Sequence, residues 1–305
     1  MPASHPLASV VERRAAALAR HLPDALAGDL AGVHQARVAS RRLRETLPLV
    51  AAGGGTRSAG RALRAVRRVT RALGPVRELD VALDVLTGHL EAHADEVVEG
   101  LVVRAWLERL RADRREAMLE ALGARRLEQL RDAVARVGVE VATIDAPRAR
   151  DVLRALGERI DRRADALAGV VAQTGVLYAP DPLHAVRIAT KKLRYAVELV
   201  AELQPRRMPP GLLRTLKRRQ ELLGRIHDLE VLCGFADRAC AEAPRRVHAA
   251  RLVGDWQREC RELHASYVRT RQALLQATTE ARRLGRRLVR AAGAVPPPGV
   301  GSLPR

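Results

Sequence analysis

The chain has 305 residues, 54 of them Lys or Arg and 35 Asp or Glu, for a net charge of +19. That excess points to an anionic partner: nucleic acid, an acidic membrane surface or a polyphosphorylated compound. With one Phe, two Trp and three Tyr, the chain can hardly build the stacking platforms on which single-stranded nucleic-acid binding rests.

Taken in order, Leu7–Leu22 reads as a first helix stopped by Pro23. A strongly basic helix follows from about Leu30 to Val50 and ends at Gly53–Gly55. Arg57, Arg61, Arg64, Arg68 and Arg71 then recur at helical spacing, until Leu73-Gly74-Pro75 is expected to break that helix. Another is expected to begin near Glu78, with Glu78 and Asp80 as favourable acids in its first turn. Val97–Leu122 and Arg125–Val137 read as two more helices. Gly138–Pro147 contains a short strand-like alternation and is assigned to a linker. The second half repeats the plan with helices over Arg148–Thr174 and Leu183–Leu203, stopped by Pro205, Pro209 and Pro210. Leu212–Leu223, Ile226–Ala243 and a long helix within Arg246–Ala291 complete it. The expected division is 1–145, 146–290 and a disordered tail at 291–305.

That repetition is literal. VHQARVASRRLR at Val33–Arg44 returns as LHAVRIATKKLR at Leu183–Arg194, and LGPVRELDV at Leu73–Val81 returns as LGRIHDLEV at Leu223–Val231. Both echoes share an offset of 150 residues, so the chain is a tandem duplication. On a helix, His34, Arg37, Arg41 and Arg44 fall within an arc of about 80° and about 15 Å of axis. Ala36, Ala39, Leu43 and Leu47 point the other way. His184, Arg187, Lys191 and Arg194 repeat the stripe, backed by Val186, Ala189, Leu193 and Val197; Arg42 and Lys192 fall off it.

A solvated charged face normally mixes Lys with Glu at i,i+4, which supports the helix. These stripes hold no acid from His34 to Arg44 or from His184 to Arg194. Like charges at that spacing cost stability, which argues for an anionic ligand. In the next helix of each half, Arg214, Lys217 and Arg218 match Arg64, Arg67 and Arg68, while Gly211 and Glu221 replace Arg61 and Arg71.

The pattern H-x-x-R-[VI]-x-x-[RK]-[RK]-L-R, followed by the LG motif with its acids and then the pair again, resembles the CHAD family, the conserved histidine α-helical domain. The resemblance spans roughly Leu7 to Ala291. It implies an all-α fold of two four-helix bundles related by pseudo-twofold symmetry, with a basic groove or pore between them. It also implies binding of inorganic polyphosphate and, in some members, association with polyphosphate granules. Carried over by motif, the ligand-binding candidates are His34, Arg37, Arg41, Arg44, His184, Arg187, Lys191 and Arg194, joined from the second stripe by Arg61, Arg64, Arg68, Arg214, Lys217 and Arg218. Glu78 stands where the family's Asp is expected, and Arg77 where the second repeat has His227; neither is expected to touch the stripe.

Polyphosphate carries about one charge per unit and presents no bases, so it needs closely spaced cations and no hydrogen-bonding code. Glu78, Asp80, Asp228 and Glu230 either orient those cations from behind or serve as helix N-terminal charges. The competing readings are sequence-independent binding of a DNA backbone, a phosphotransfer histidine and metal binding by His34, His184 or the His89/His93 pair. No E-x-E signature of a triphosphate tunnel enzyme occurs. The expectation is a binding module without cofactor, metal or catalytic residue. Its apolar runs fall short of the length that crosses a bilayer. Its start lacks a signal peptide's apolar core, and Cys233, Cys240 and Cys260 have no zinc spacing, so a cytoplasmic setting is expected. The sequence sets no oligomeric state.

Overall fold

The computed structural model describes residues 6–93, 97–243 and 249–293. Among them the regular structure is helical throughout, with no strand. The helices are α1 (Pro6–Ala27), α2 (Leu30–Ala52), α3 (Thr56–Ala92), α4 (Val97–Ala121), α5 (Ala124–Ala142), α6 (Ala146–Gln173), α7 (Pro180–Leu203), α8 (Leu212–Glu242) and α9 (Ala250–Gly293).

Four expected boundaries give way, and in each case burial outweighs a local breaker. Proline inside a helix costs about 3 kcal/mol, yet α3 runs straight through Pro75. Val69, Leu73, Val76, Leu79, Ala82 and Leu86 are all buried across it. Each large apolar side chain in that row contributes about 1.5–3 kcal/mol by leaving water, so the row outweighs the breaker. α8 likewise continues through Gly224 on Leu216, Leu223, Ile226, Leu229 and Leu232. α1 passes Pro23 because Leu22 and Ala25 are buried on either side, and it ends instead at Gly28, whose φ is +96°. The run at 138–142 belongs to α5: Val137 and Val141 are buried one turn apart, while Val139 is 71% exposed. An alternation of valines that suggested a strand contains a helical i,i+4 pair. The seam shrinks to Thr143–Asp145, where Asp145 caps α6 by accepting from the Arg148 amide at 3.0 Å. At the far end residues 291–293 still belong to α9, and the rest of the expected tail lies outside the described residues.

α2 packs between α1 and α3, and α3 also meets α4 and α5; α7 packs between α6 and α8, and α9 lies against α6 and α8. α9 is 44 residues long, and the first half fills the corresponding stretch with two helices, α4 and α5, of 25 and 19 residues. The two sets share one continuous apolar core.

Arginines tie the sets together. Arg14 of α1, only 5% exposed, donates to the Arg42 carbonyl and the Thr46 hydroxyl of α2, both at 2.8 Å, and pairs with Glu202 of α7. Arg163 of α6 reaches Glu45 of α2 at 2.7 Å and the Lys192 carbonyl of α7 at 2.6 Å. Arg159 donates to the Glu45 carbonyl at 2.7 Å. Arg14 and Arg163 thus each span α2 and α7, the two helices that carry the basic stripes, and Arg159 adds a bond from α6 to α2.

α6 and α9 meet backbone to backbone at Gly157 and Gly285. A Cβ on either would lie 2.6–2.7 Å from the other's carbonyl oxygen. Alanine is the better helix former by about 1 kcal/mol, but here the neighbour is main chain and cannot yield. Gly157→Ala should lower stability in urea unfolding by about 1–3 kcal/mol. Gly234→Ala in α8, where an added Cβ meets nothing within 4 Å, should raise it by up to about 1 kcal/mol. Equal effects would show that the close approach does not set the α6–α9 packing.

Candidate functional site

The basic stripes face one another. With their apolar backs buried at Ala36, Leu43 and Leu47 on α2 and at Val186, Leu193 and Val197 on α7, the polar faces turn toward a common cavity of about 680 Å³. α2 contributes His34, Arg37 and Arg41; α7 contributes His184, Arg187, Lys191 and Arg194. α3 adds Arg77 and Glu78, and α8 adds Lys217, Gln220, Glu221, His227 and Asp228. Seven Lys and Arg side chains against three carboxylates leave the lining strongly positive.

Eight of the fourteen sequence candidates therefore line one cavity. Arg44 does not; it is half-buried and electrostatically coupled to Arg41 and Arg67. Arg61, Arg64, Arg214 and Arg218 are exposed and Arg68 is half-buried, all outside the cavity lining. Arg77 and His227, expected to stand clear of the stripe, lie within the site instead: the Nδ1 atoms of His184 and His227 are 3.3 Å apart. Because α3 and α8 are unbroken, the LG motif lies inside each helix and turns its next residues toward the cavity. The repeated motif itself was the signal that marked them.

For the same reason the acids after the glycines are not N-terminal charges. Glu78 and Asp228 line the cavity among its cations. Asp80, 4% exposed, holds Arg111 of α4 at 2.6 Å. Glu230 accepts from the Tyr178 hydroxyl at 2.7 Å.

The cations divide into two groups. Arg194 is committed: it donates to Gln220 at 2.6 Å, pairs with Glu198 and lies over the Tyr195 ring at 4.6 Å. Arg37 donates to the Thr70 carbonyl at 3.1 Å, passing over Gly74, where a Cβ would stand 3.1 Å from its guanidinium. By contrast Arg41, Arg77, Arg187 and Lys191 form no hydrogen bond or ion pair among the described residues, and Arg41 Nε is buried without a partner.

Crowding and burial act on the protonation of these groups. Burial, then Arg187, Arg41 and Arg37, push Lys191 down to about 6. Burial, then Arg187 and His184, push His227 down to about 4. Burial, then Arg77, lowers His34. Burial, then Arg41, brings Arg37 down to about 10. Burial raises Asp228 even though Arg187 and Lys191 oppose it. Near neutrality Lys191 is therefore less protonated than an ordinary lysine.

The other histidine pair is local. His89 of α3 and His93, just past its end, stack at 4.2 Å, with Trp256 edge-on to His89. No group of three or more His, Cys, Asp or Glu placed to hold a metal forms among the described residues. No helix among them is long and apolar enough to cross a membrane.

The family model of the CHAD domain matches residues 9–237. Two solved structures are similar along nearly the whole chain. The CHAD domain from the plant Ricinus communis is 23% identical, with 93% of each chain covered and a TM-score of 0.60. PptA from Streptomyces chartreusis is 20% identical, with 95% of this chain and 99% of that one covered and a TM-score of 0.55. At these identities the likeness is one of fold. No curated protein matches the chain.

Lys191 makes the site testable through protons. An anion among these cations favours the charged amine and raises its pKa. Below about 6 the amine is charged in both states and adds no pH dependence of its own; above that, it takes up a proton on binding. Affinity for tripolyphosphate should therefore fall as pH rises from 6 to 8. Calorimetry at pH 7.5 in buffers of different ionisation enthalpy should show net proton uptake, and Lys191→Arg, charged throughout, should diminish it. Unchanged uptake in that variant would assign the proton to another group.

Proposed function

The chain belongs to the CHAD domain family, and from that membership and the chemistry of its cavity we propose that it binds inorganic polyphosphate. The observation that carries the reading is the convergence of Arg41, Arg77, Arg187 and Lys191, all without protein partners among the described residues, on one concave site. A linear chain of phosphates offers each of them an oxygen acceptor. Guanidinium groups can engage two such oxygens at once, and lysine acts as a point charge.

The alternative, a nucleic-acid backbone, fits less well. Apart from its histidines, the cavity's one aromatic, Tyr195, is 8% exposed and already covered by Arg194, so no Phe, Tyr or Trp ring is offered to a base. A duplex is too broad to enter a recess of about 680 Å³ between helices. A bare phosphate chain is narrow enough to enter with cations on both sides.

The cavity reads as a binding site rather than a hydrolytic one. Lys217 faces Glu221 at 3.9 Å, and Asp228 and Glu78 sit among arginines. These carboxylates temper the field instead of pairing to hold a divalent cation. Arg61, Arg64, Arg68, Arg214 and Arg218, beyond the lining, are proposed to meet the parts of a long chain that leave the cavity. Such a module attaches its carrier to long polyphosphate, and association with polyphosphate granules in the cytoplasm follows from the same affinity.

Removing one charge separates function from stability. Lys191→Met takes away a buried amine whose charged form burial and three arginines disfavour and leaves an apolar chain of similar length. It should raise the thermal midpoint while weakening polyphosphate binding. A charge-assisted contact contributes about 1.5–3 kcal/mol, or roughly 10–100-fold in affinity. Wild-type protein should also prefer polyphosphate to duplex DNA of equal charge across a salt series. Equal competition by DNA would falsify the preference for the unadorned chain, and undiminished binding by Lys191→Met would remove the cavity from the account.

A further inference from the structure

α9 carries a second concentration of arginines, remote from the cavity. The sequence from Ala281 to Gly293, ARRLGRRLVRAAG, holds five arginines and no acid. Arg282 turns inward and pairs with Asp165 of α6 at 2.5 Å. The other four, Arg283, Arg286, Arg287 and Arg290, recur at i, i+3, i+4 and i+7. They are exposed, and by themselves line a recess of about 490 Å³. None forms a hydrogen bond or an ion pair among the described residues.

Two ordinary explanations for such a stripe fall short. The helix dipole favours cations only within the last turn; that accounts for Arg290 but not for Arg283, ten residues before Gly293. A solvated face would carry acids at i+3 or i+4, as α9 does earlier where Asp255 pairs with Arg258 at 2.6 Å. Here four like charges occupy about 10 Å of axis without one, and repulsion between neighbours at i,i+4 is unfavourable.

The mounting is rigid. Gly157 and Gly285 bring α6 and α9 into main-chain contact directly beneath the patch, and Leu284 and Leu288 are fully buried between its arginines. All four guanidinium groups are therefore displayed on one fixed, outward surface.

We propose that this α9 face binds a row of closely spaced phosphates, as a second attachment point for a long polyphosphate chain. The inference rests on the polyphosphate reading of the cavity. The face has no exposed apolar side chain to enter a lipid layer and no aromatic ring to stack on a base. Its fit is to phosphate charge alone. It is also out of reach of a short ligand already in the cavity. Arg219, beside the cavity-lining stretch of α8, contacts Thr270 of α9. The four arginines lie 13 to 20 residues further on, roughly 20–30 Å along the helix. Only a chain long enough to leave the cavity and travel that distance can engage both, and the second contact is then intramolecular.

The test compares wild-type protein with Arg283→Gln/Arg286→Gln/Arg287→Gln/Arg290→Gln, using tripolyphosphate and long-chain polyphosphate over a salt series. Folding is checked by circular dichroism, and Arg283→Gln/Arg287→Gln serves as a milder variant. Tripolyphosphate affinity should be unchanged. Long-chain affinity should fall about 10-fold or more, and its dependence on salt should become shallower as counterion-releasing contacts are lost. Unchanged long-chain affinity and slope in the fourfold variant would overturn the proposal. So would loss of binding to phosphatidylglycerol vesicles with polyphosphate binding intact, which would make the face a membrane contact. The cavity reading fails separately: Arg41→Glu/Lys191→Glu would then leave tripolyphosphate binding intact, while the α9 variant still weakened long-chain binding.

Discussion

Seven lysine and arginine side chains turned toward one recess repel one another, and the rest of the molecule is arranged to bear that repulsion. At an effective dielectric constant near 20, two unit charges 4 Å apart interact by about 4 kcal/mol. Several such pairs rival the whole stability of a domain, about 5–15 kcal/mol. The fold answers in two ways. It mounts the cations on long helices whose opposite faces sink into a shared apolar core. It also lets some of the charge lapse: Lys191, with its pKa near 6, is largely neutral at physiological pH until an anion arrives. The same crowding that costs stability without a ligand supplies binding free energy when the ligand is present.

Holding the cavity together is work for other arginines. Arg14, Arg159 and Arg163 sit outside the lining and bind carbonyls and carboxylates of α2 and α7. Within the cavity, Arg194 is held by Gln220, Glu198 and Tyr195 and stiffens the wall. What remains uncommitted is a smaller set, Arg41, Arg77, Arg187 and Lys191, drawn from α2, α3 and α7. Charge and shape are thus separable: Arg14 belongs to the framework, and Arg41 leaves its guanidinium free of protein partners among the described residues.

Much of this was legible in the sequence. The duplicated stripes stood out because acids are missing between His34 and Arg44 and between His184 and Arg194, an anomaly for a solvated face. The all-helical class was implied by the resemblance to the CHAD family, with the element-by-element reading of helices in accord. What the sequence misjudged was the power of local breakers. Pro75 and Gly224 look like helix ends to any rule based on nearby residues; the burial of Leu73, Val76 and Leu79, or of Leu223, Ile226 and Leu229, overrides them. That misreading also displaced Arg77 and His227, which a break would have set outside the site and an unbroken helix turns into it. The commitment of Arg194 was invisible for a different reason, since Gln220 lies on another helix and carries no charge pattern to announce it. The α9 arginines went unremarked because they have no counterpart in the duplicated motifs.

The two copies have also diverged in a chemically consistent direction. Where the first half presents Arg41 and Arg77, the second presents Lys191 and His227 at the matching positions. Arginine stays charged in almost any protein setting, whereas lysine and histidine shed their protons when buried among cations, and here they reach about 6 and about 4. One wall of the cavity therefore keeps its Arg41–Arg77 charge, and the opposite wall, on the proposed binding of an anion, would regain part of its charge by proton uptake. Four permanent charges at those positions would bind an anion without proton uptake, but would add two more fully charged groups to the unliganded interface. Replacing half of them with titratable groups relieves that repulsion in the free protein and restores attraction on binding. The duplication supplied the two facing rows of cations, and its divergence placed the titratable groups on one of them.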